Sequence, residues 1–319
     1  MIKVIAFWLN EICERGVTTA VYDYAYYNET VLKNRSIVFY DKNHPDNVKE
    51  VIDRFTKKLL VIGVDSFSEV DDYIMQYKCD LLYVLKYGVN DNKISKFVKT
   101  AVHCVFNCSY PHGNVYAAIS PSLHGYNPNI PIVPHIVSLP DTNKDLRKEL
   151  GIPRDVKVFG RYGGKDSFDN LHVHTIVYEI AKNRPDFCFL FANTDRFCPV
   201  VPNIIHVNKI IDPTLKVAFI NTCDAMLWAR MHGETFGLSI AEFSIKNKPV
   251  ICKITNNEDE HIRLLGDKCI LYTEETLADV LSSFDKQAAK EKDWNAYRDF
   301  TPEKVMALFN KYIIEPCVP

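Results

Sequence analysis

The stretch Ala229–Ile251 reads ARMHGETFGLSIAEFSIKNKPVI. Ala225-Met226-Leu227-Trp228 before it and Pro249-Val250-Ile251 at its end are short apolar runs of strand length. Between them the pattern predicts a helix over Leu238–Lys246, starting at Phe236-Gly237-Leu238 and ended by Lys246-Asn247-Lys248. Strand, helix, strand is the repeating unit of a parallel α/β sheet. Glu234 stands in the Gly-flanked loop and Glu242 inside the helix, with seven residues between them. A helix N-terminus carries unpaired N–H groups and the positive end of the macrodipole, so it suits an anion. One carboxylate on either side can hold hydroxyls. A phosphate placed between two polyol rings fits that layout.

Outward from this stretch the same rhythm repeats. In the first half, strands are expected at Ile2–Leu9, Ser36–Tyr40, Leu59–Val64, Leu81–Leu85, Ala101–Phe106 and Val115–Ser120. Helices are expected after Thr18 or Thr19 acting as cap, through Val48–Lys57, and over Glu69–Tyr77. The second half offers strands at Val156–Phe159, Phe187–Phe191, Ile204–Val207, Pro249–Cys252 and Cys269–Tyr272. Its helices fall at Asn170–Lys182, Leu215–Asn221, Glu258–Leu265 and Glu275–Phe284. A boundary over Ser138–Pro153, with a short helix at Leu146–Leu150, divides the chain into residues 1–152 and 153–299. The amphipathic end, 300–319, is expected to pack back on the first domain.

A chain of 319 residues, 47% hydrophobic and 24% charged, has the size and composition of two globular domains. A net charge of -2 gives no electrostatic reason to expect nucleic acid as a partner. Ten cysteines without a regular framework, no signal-peptide pattern and no run of membrane-spanning length point to a reduced, cytoplasmic protein. Lys93, Lys96 and Lys99 are three apart and would share one helical face, which is either solvated or docks weakly on a membrane surface.

A second loop matches the first. Phe159-Gly160-Arg161-Tyr162-Gly163-Gly164-Lys165-Asp166 follows the first strand of the second half. Gly160, Gly163 and Gly164 permit close backbone approach, and Arg161 and Lys165 supply two cations for a diphosphate. A Walker loop fails here, because its first Gly would fall on Phe159 and its Ser/Thr on Asp166. No G-x-G-x-x-G occurs, which weakens a dinucleotide dehydrogenase. Both loops follow strands of one sheet, at the edge where α/β proteins bind ligands.

Together these motifs resemble the retaining glycosyltransferases of the GT-B fold, close to glycosyltransferase family 4 and to its members from bacteria and large DNA viruses. The matching residues are Gly160-Arg161 with Lys165, Glu234-x-Phe236-Gly237-Leu238-x-x-x-Glu242, and Asn247-Lys248-Pro249-Val250-Ile251. The likeness is specific over Val156–Leu281 and topological over residues 1–140. It implies two Rossmann-like parallel-sheet domains facing across a cleft, and transfer of a sugar from a UDP- or GDP-sugar to a glycan, lipid or other hydroxyl acceptor.

The resemblance also implies roles. Arg161 and Lys165 would bind the donor diphosphate, and Glu234 the hydroxyls of the transferred sugar. The N–H groups of Phe236, Gly237 and Leu238, beside Gly233, would meet the distal phosphate. Glu242 would take the ribose. His103 resembles a family His that reaches the sugar, though a core His reads equally well. Gly16 and His112 would lie on the acceptor side. Asn247 replaces the family's usual Gly and is the next best left-handed C-cap residue.

The chain contains no Asp-x-Asp, so metal-independent transfer without a cofactor is expected. Cys104, Cys108, His112 and His103 lack the spacing of common zinc modules. A GT-B nucleotide-sugar epimerase and a non-catalytic nucleotide-sugar or glycan binder remain the alternatives.

Overall fold

The computed structural model describes residues 2–254 and 259–318. The chain forms two compact units, Met1–Ile136 with Phe300–Pro319, and Val137–Asp299.

Unit 1 runs β1 (Val4–Leu9), α1 (Gly16–Thr30), β2 (Arg35–Asp41), α2 (Lys49–Thr56), β3 (Leu60–Val64), α3 (Val70–Tyr77), β4 (Leu81–Lys86), β5 (Lys99–Cys104) and β6 (Val115–Ala118). Its six strands are parallel, in the order β3-β2-β1-β4-β5-β6. β1, an unbroken apolar run, is buried from Ile5 to Leu9 and lies between two neighbours, where a strand must be apolar on both faces.

Unit 2 runs β7 (Lys157–Tyr162), α4 (Leu171–Asn183), β8 (Phe187–Ala192), β9 (Ile204–Val207), α5 (Pro213–Thr222), β10 (Ala225–Trp228), α6 (Leu238–Ile245), β11 (Val250–Lys253), α7 (Glu260–Leu265), β12 (Cys269–Tyr272), α8 (Leu277–Ser283) and α9 (Lys286–Glu291). Its parallel sheet is ordered β12-β11-β10-β7-β8-β9. Counted from each unit's own first strand, both sheets have the 3-2-1-4-5-6 order of doubly wound folds. The order reverses between β1 and β4 in unit 1, and between β7 and β10 in unit 2.

Phenylalanines fill the core of unit 2. Phe159 stacks with Phe187 and Phe189 at ring separations of 5.8 Å, and Leu227, Ile251, Leu277 and Leu281 pack in the same cluster. In unit 1 the last α-helix, α10 (Pro302–Phe309), buries Phe309 against Tyr24 and Tyr83, each ring 5.0 Å away.

Several sequence expectations need correction. The residue before α1 is Arg15, with no side-chain cap; Thr18 lies inside the first turn, where its hydroxyl accepts the Cys13 N–H at 3.3 Å. Lys93 and Lys96 stand in irregular chain and Lys99 opens β5, so the three lysines share no helical face, and the docking surface read from that face falls with it. Leu146–Leu150 forms a turn closed by Leu150 N–H to the Leu146 carbonyl at 2.9 Å, short of a helix. Residues 137–152 group with unit 2 rather than the first domain. Arg147 explains this: it donates to the carbonyls of Pro153 and Val156 at 3.0 Å and pairs with Asp224 at 2.8 Å. The helix α9 has no counterpart in the sequence reading. The expected helix start at Glu258 lies outside the described residues; α7 is seen from Glu260.

Candidate functional site

At the switch point of unit 2, β10, β7 and β8 lie side by side, and their following loops are tied together. The Asp169 carboxylate, from the loop after β7, accepts the Met231 N–H of the loop after β10 at 2.7 Å. From the loop after β8, Asn193 donates its amide to the Gly163 carbonyl at 2.8 Å, and the Asp195 N–H bonds the Lys165 carbonyl at 3.1 Å.

Arg161 organises this edge from inside. It is 4% exposed and donates to Thr194 Oγ1 at 2.6 Å, to the Gly164 carbonyl at 3.1 Å, and to Ser167 Oγ. Burial lowers its pKa to about 10, with Glu234 and Asp169 pulling the other way. Three of its five N–H donors are therefore given to the protein, and its visible work is to shape the 163–167 turn. A Cβ on Gly163 would stand 2.8 Å from the Arg161 guanidinium, so this glycine makes room for the arginine. Gly164 sits against Ser167, where a Cβ would meet the hydroxyl at 3.1 Å. Gly160 answers to internal packing: a Cβ there would lie 2.1 Å from the Cys223 sulfur. Lys165 points outward, 71% exposed, with an ion pair to Asp195 at 3.3 Å. It is the cation of this loop most open to an anion.

On the other side, Glu234 is 23% exposed. It accepts from Trp228 Nε1 at 3.4 Å and faces Arg230 at 3.4 Å, while Arg230 also reaches the Gly233 carbonyl at 3.4 Å. Burial pushes the Glu234 carboxyl above its ordinary value against the pull of Arg230, Trp228 and Arg161. Gly237 precedes α6 with φ +79, a conformation that costs an L side chain about 1–2 kcal/mol. Gly237, as the residue before the helix, has no side chain with which to cap it. Phe236 is buried, its carbonyl taking the Tyr297 hydroxyl at 2.9 Å, and Leu238 begins the helix. At the far end Asn247 adopts φ +56, as expected of a residue standing for glycine, and holds the Trp294 N–H at 2.7 Å. An open pocket of about 500 Å³ lined by Asn247, Lys290, Lys292 and Arg298 lies at that far end, away from Gly237.

Glu242, four residues into α6, is 6% exposed. Lys216 of α5 pairs with its Oε1 at 2.8 Å, and the Tyr162 hydroxyl donates to its Oε2. Sequence reasoning missed Lys216. The signal was there in part: a carboxylate inside the apolar run LSIAEFSI needs a cation. Sequence alone does not say which of the chain's lysines and arginines serves.

The structure thus assembles Arg161, Lys165, Gly163, Gly164, Gly233, Glu234, Phe236, Gly237, Leu238 and Glu242 at one sheet edge. The unit 1 candidates are placed differently. His103 has no exposed surface. Its Nδ1 pairs with the Tyr83 hydroxyl at 2.8 Å, and its ring packs 5.8 Å from Tyr24. Burial lowers its pKa to about 4. It sits in the core of unit 1. Gly16 is the exposed first residue of α1. His112 sits in a loop, its Nδ1 2.6 Å from the Tyr110 carbonyl and its ring 5.5 Å from Tyr116. Among the described residues no group of three or more His, Cys, Asp or Glu is placed to hold a metal ion, and no helix is long and apolar enough to cross a membrane.

No family model matches the chain, and no curated protein matches it by sequence. Solved structures do. Anabaena HepE, crystallised with UDP and glucose, superposes at TM-score 0.73 with 13% identity over 99% of this chain and 100% of its own. A glycosyltransferase from Rickettsia africae matches at TM-score 0.68, with 12% identity over 98% and 99% of the two chains. A Listeria monocytogenes structure named for a UDP-N-acetylglucosamine 2-epimerase follows at 0.61, with 12% identity over 98% of each. The fold is GT-B.

Proposed function

We propose that the protein is a glycosyltransferase that takes its sugar from a UDP- or GDP-sugar. One observation carries this reading: a helix that begins after left-handed Gly237, flanked by Glu234 and Glu242, at the switch point of the unit 2 sheet. In this reading the N–H groups of Phe236, Gly237 and Leu238 bind the distal phosphate. Lys165 offsets charge on the departing diphosphate, and Arg161 holds the turn that carries Lys165. Glu234 orients the transferred sugar and Glu242 the ribose.

Transfer proceeds with retention, the departing phosphate accepting the proton of the incoming hydroxyl, so that no protein nucleophile is needed. The acceptor is a glycan, lipid or other hydroxyl compound. The lack of any Asp-x-Asp in the sequence supports transfer without a divalent metal.

Incubation with UDP- and GDP-sugars and candidate hydroxyl acceptors, with and without EDTA, tests the proposal. Nucleotide release coupled to an α-linked product from an α-donor, unchanged by EDTA, is the expected result. Free epimerised sugar would replace transferase by epimerase. Binding without turnover would reduce the protein to a binding module, and loss of activity with EDTA would remove the metal-free claim.

A further inference from the structure

Glu242 is held by two donors on two different elements. Lys216 comes from α5, and Tyr162 is the last residue of β7, next to the Gly163-Gly164 turn. The three groups form a closed set, because the Lys216 ammonium also lies 5.3 Å from the centre of the Tyr162 ring. That ring is wedged between Phe219 at 5.8 Å and Phe243 at 5.6 Å. Lys216 and Glu242 side chains keep 15% and 8% of their surface exposed. Burial and the Glu242 carboxylate push the Tyr162 hydroxyl well above its ordinary range, so it remains a donor.

Each Glu242 oxygen takes one protein donor, and a carboxylate oxygen can accept a second. The remaining lone pairs of the two oxygens are about the spacing of two neighbouring hydroxyls on a five-membered sugar. A carboxylate free to rotate would meet one hydroxyl at a time; one pinned at both oxygens is preorganised for two.

We propose that Lys216 and Tyr162 are positioning residues that fix the Glu242 carboxylate to accept both ribose hydroxyls, making the site selective for ribonucleotides over 2′-deoxyribonucleotides. The proposal rests on the donor-site reading above and adds to it the source of sugar selectivity.

Calorimetric titration with UDP, GDP, 2′-deoxy-UDP and 2′-deoxy-GDP tests it on the wild type and on Tyr162→Phe, Lys216→Met and Lys216→Arg. The wild type should bind UDP or GDP about tenfold or more tighter than its deoxy form, the worth of one hydrogen bond to a charged group. In Tyr162→Phe, which keeps the packing, that ratio should fall to about threefold or less, and in Lys216→Met close to one. Lys216→Arg should restore part of it. Turnover at saturating donor should change less than about threefold, so the effect appears in KM.

Wild-type discrimination that persists unchanged in a folded Tyr162→Phe would overturn the positioning role while leaving the donor site standing. A wild type that binds UDP or GDP no tighter than its deoxy form overturns the selectivity claim alone. Binding of neither UDP nor GDP overturns the donor-site reading, and the inference with it. If Lys216→Met does not fold, Tyr162→Phe decides.

Discussion

The two units share one topology and fill its switch point in opposite ways. In unit 1 the edge between β1 and β4 is occupied by side chains bonded to one another. Trp8 Nε1 donates to Asn10 Oδ1 at 3.1 Å, Lys93 bonds the same oxygen and lies 5.3 Å from the Trp8 ring, and Lys86 pairs with Asp91. In unit 2 the edge between β7 and β10 has glycine turns, an outward lysine and a helix that starts after a glycine, Gly237. The α1 end follows Arg15 in extended backbone; the α6 end follows Gly237 in left-handed backbone. Topology supplies the place for a ligand in both units, and residue chemistry decides how it is used.

The largest expected contrast is in acid. His103 is neutral in the folded core until about pH 4, whereas in the unfolded chain it takes up a proton below 6.5. The unfolded state therefore binds more protons across that window, and stability falls as pH drops from about 6.5 to about 4. At about 1.4 kcal/mol per pH unit the loss is about 3 kcal/mol. Amide exchange at pH 4.5 should show β5 opening more readily than at pH 7. Equal protection of β5 at both values would break the claim.

Next comes Glu234→Ala. Turnover should drop about a hundredfold, as for removal of one preorganised polar contact, with nucleotide affinity nearly unchanged. Glu242→Ala should do the reverse. If both variants lose affinity alike, the two carboxylates do not divide the work.

A glycine pair sharpens the comparison further. Gly237→Ala should cost about 1–2 kcal/mol, because φ is +79 and a Cβ would press on Ile240 at 3.1 Å. In thermal melting this is a few degrees. Gly16→Ala, at an exposed helical position, should fall within about 0.5 kcal/mol of the wild type or gain slightly. The smallest effect on stability belongs to Lys165→Ala. Its exposed pair with Asp195 is worth under about 1 kcal/mol, so Lys165→Ala should melt as the wild type does while transferring sugar more slowly.

Both sheets were legible because their strands are continuous apolar runs and their helices follow at regular spacing. The stretch around Gly237 was legible because glycine, carboxylate and apolar residues there each have a local reason. What was not legible is pairing at a distance. Lys216 and Glu242 are on different helices, and nothing local marks them as partners. Likewise Arg161 and Lys165 look alike as cations in one loop, yet one turns inward onto Thr194 and Ser167 and the other outward. Gly160 looked like its neighbours, but its reason is Cys223, 63 residues on (223 − 160). His103 read equally well as a strand-end ligand and as a core residue, and only its packing against Tyr24 and its bond to Tyr83 show its burial.

A co-crystal structure with a hydrolysis-resistant UDP- or GDP-sugar tests the central claim most directly. The account predicts the distal phosphate at the N–H groups of Phe236–Leu238, the ribose hydroxyls on Glu242 and Lys165 turned toward the diphosphate. A nucleotide seated at the β1/β4 edge of unit 1, or in the pocket beside Asn247, would contradict it.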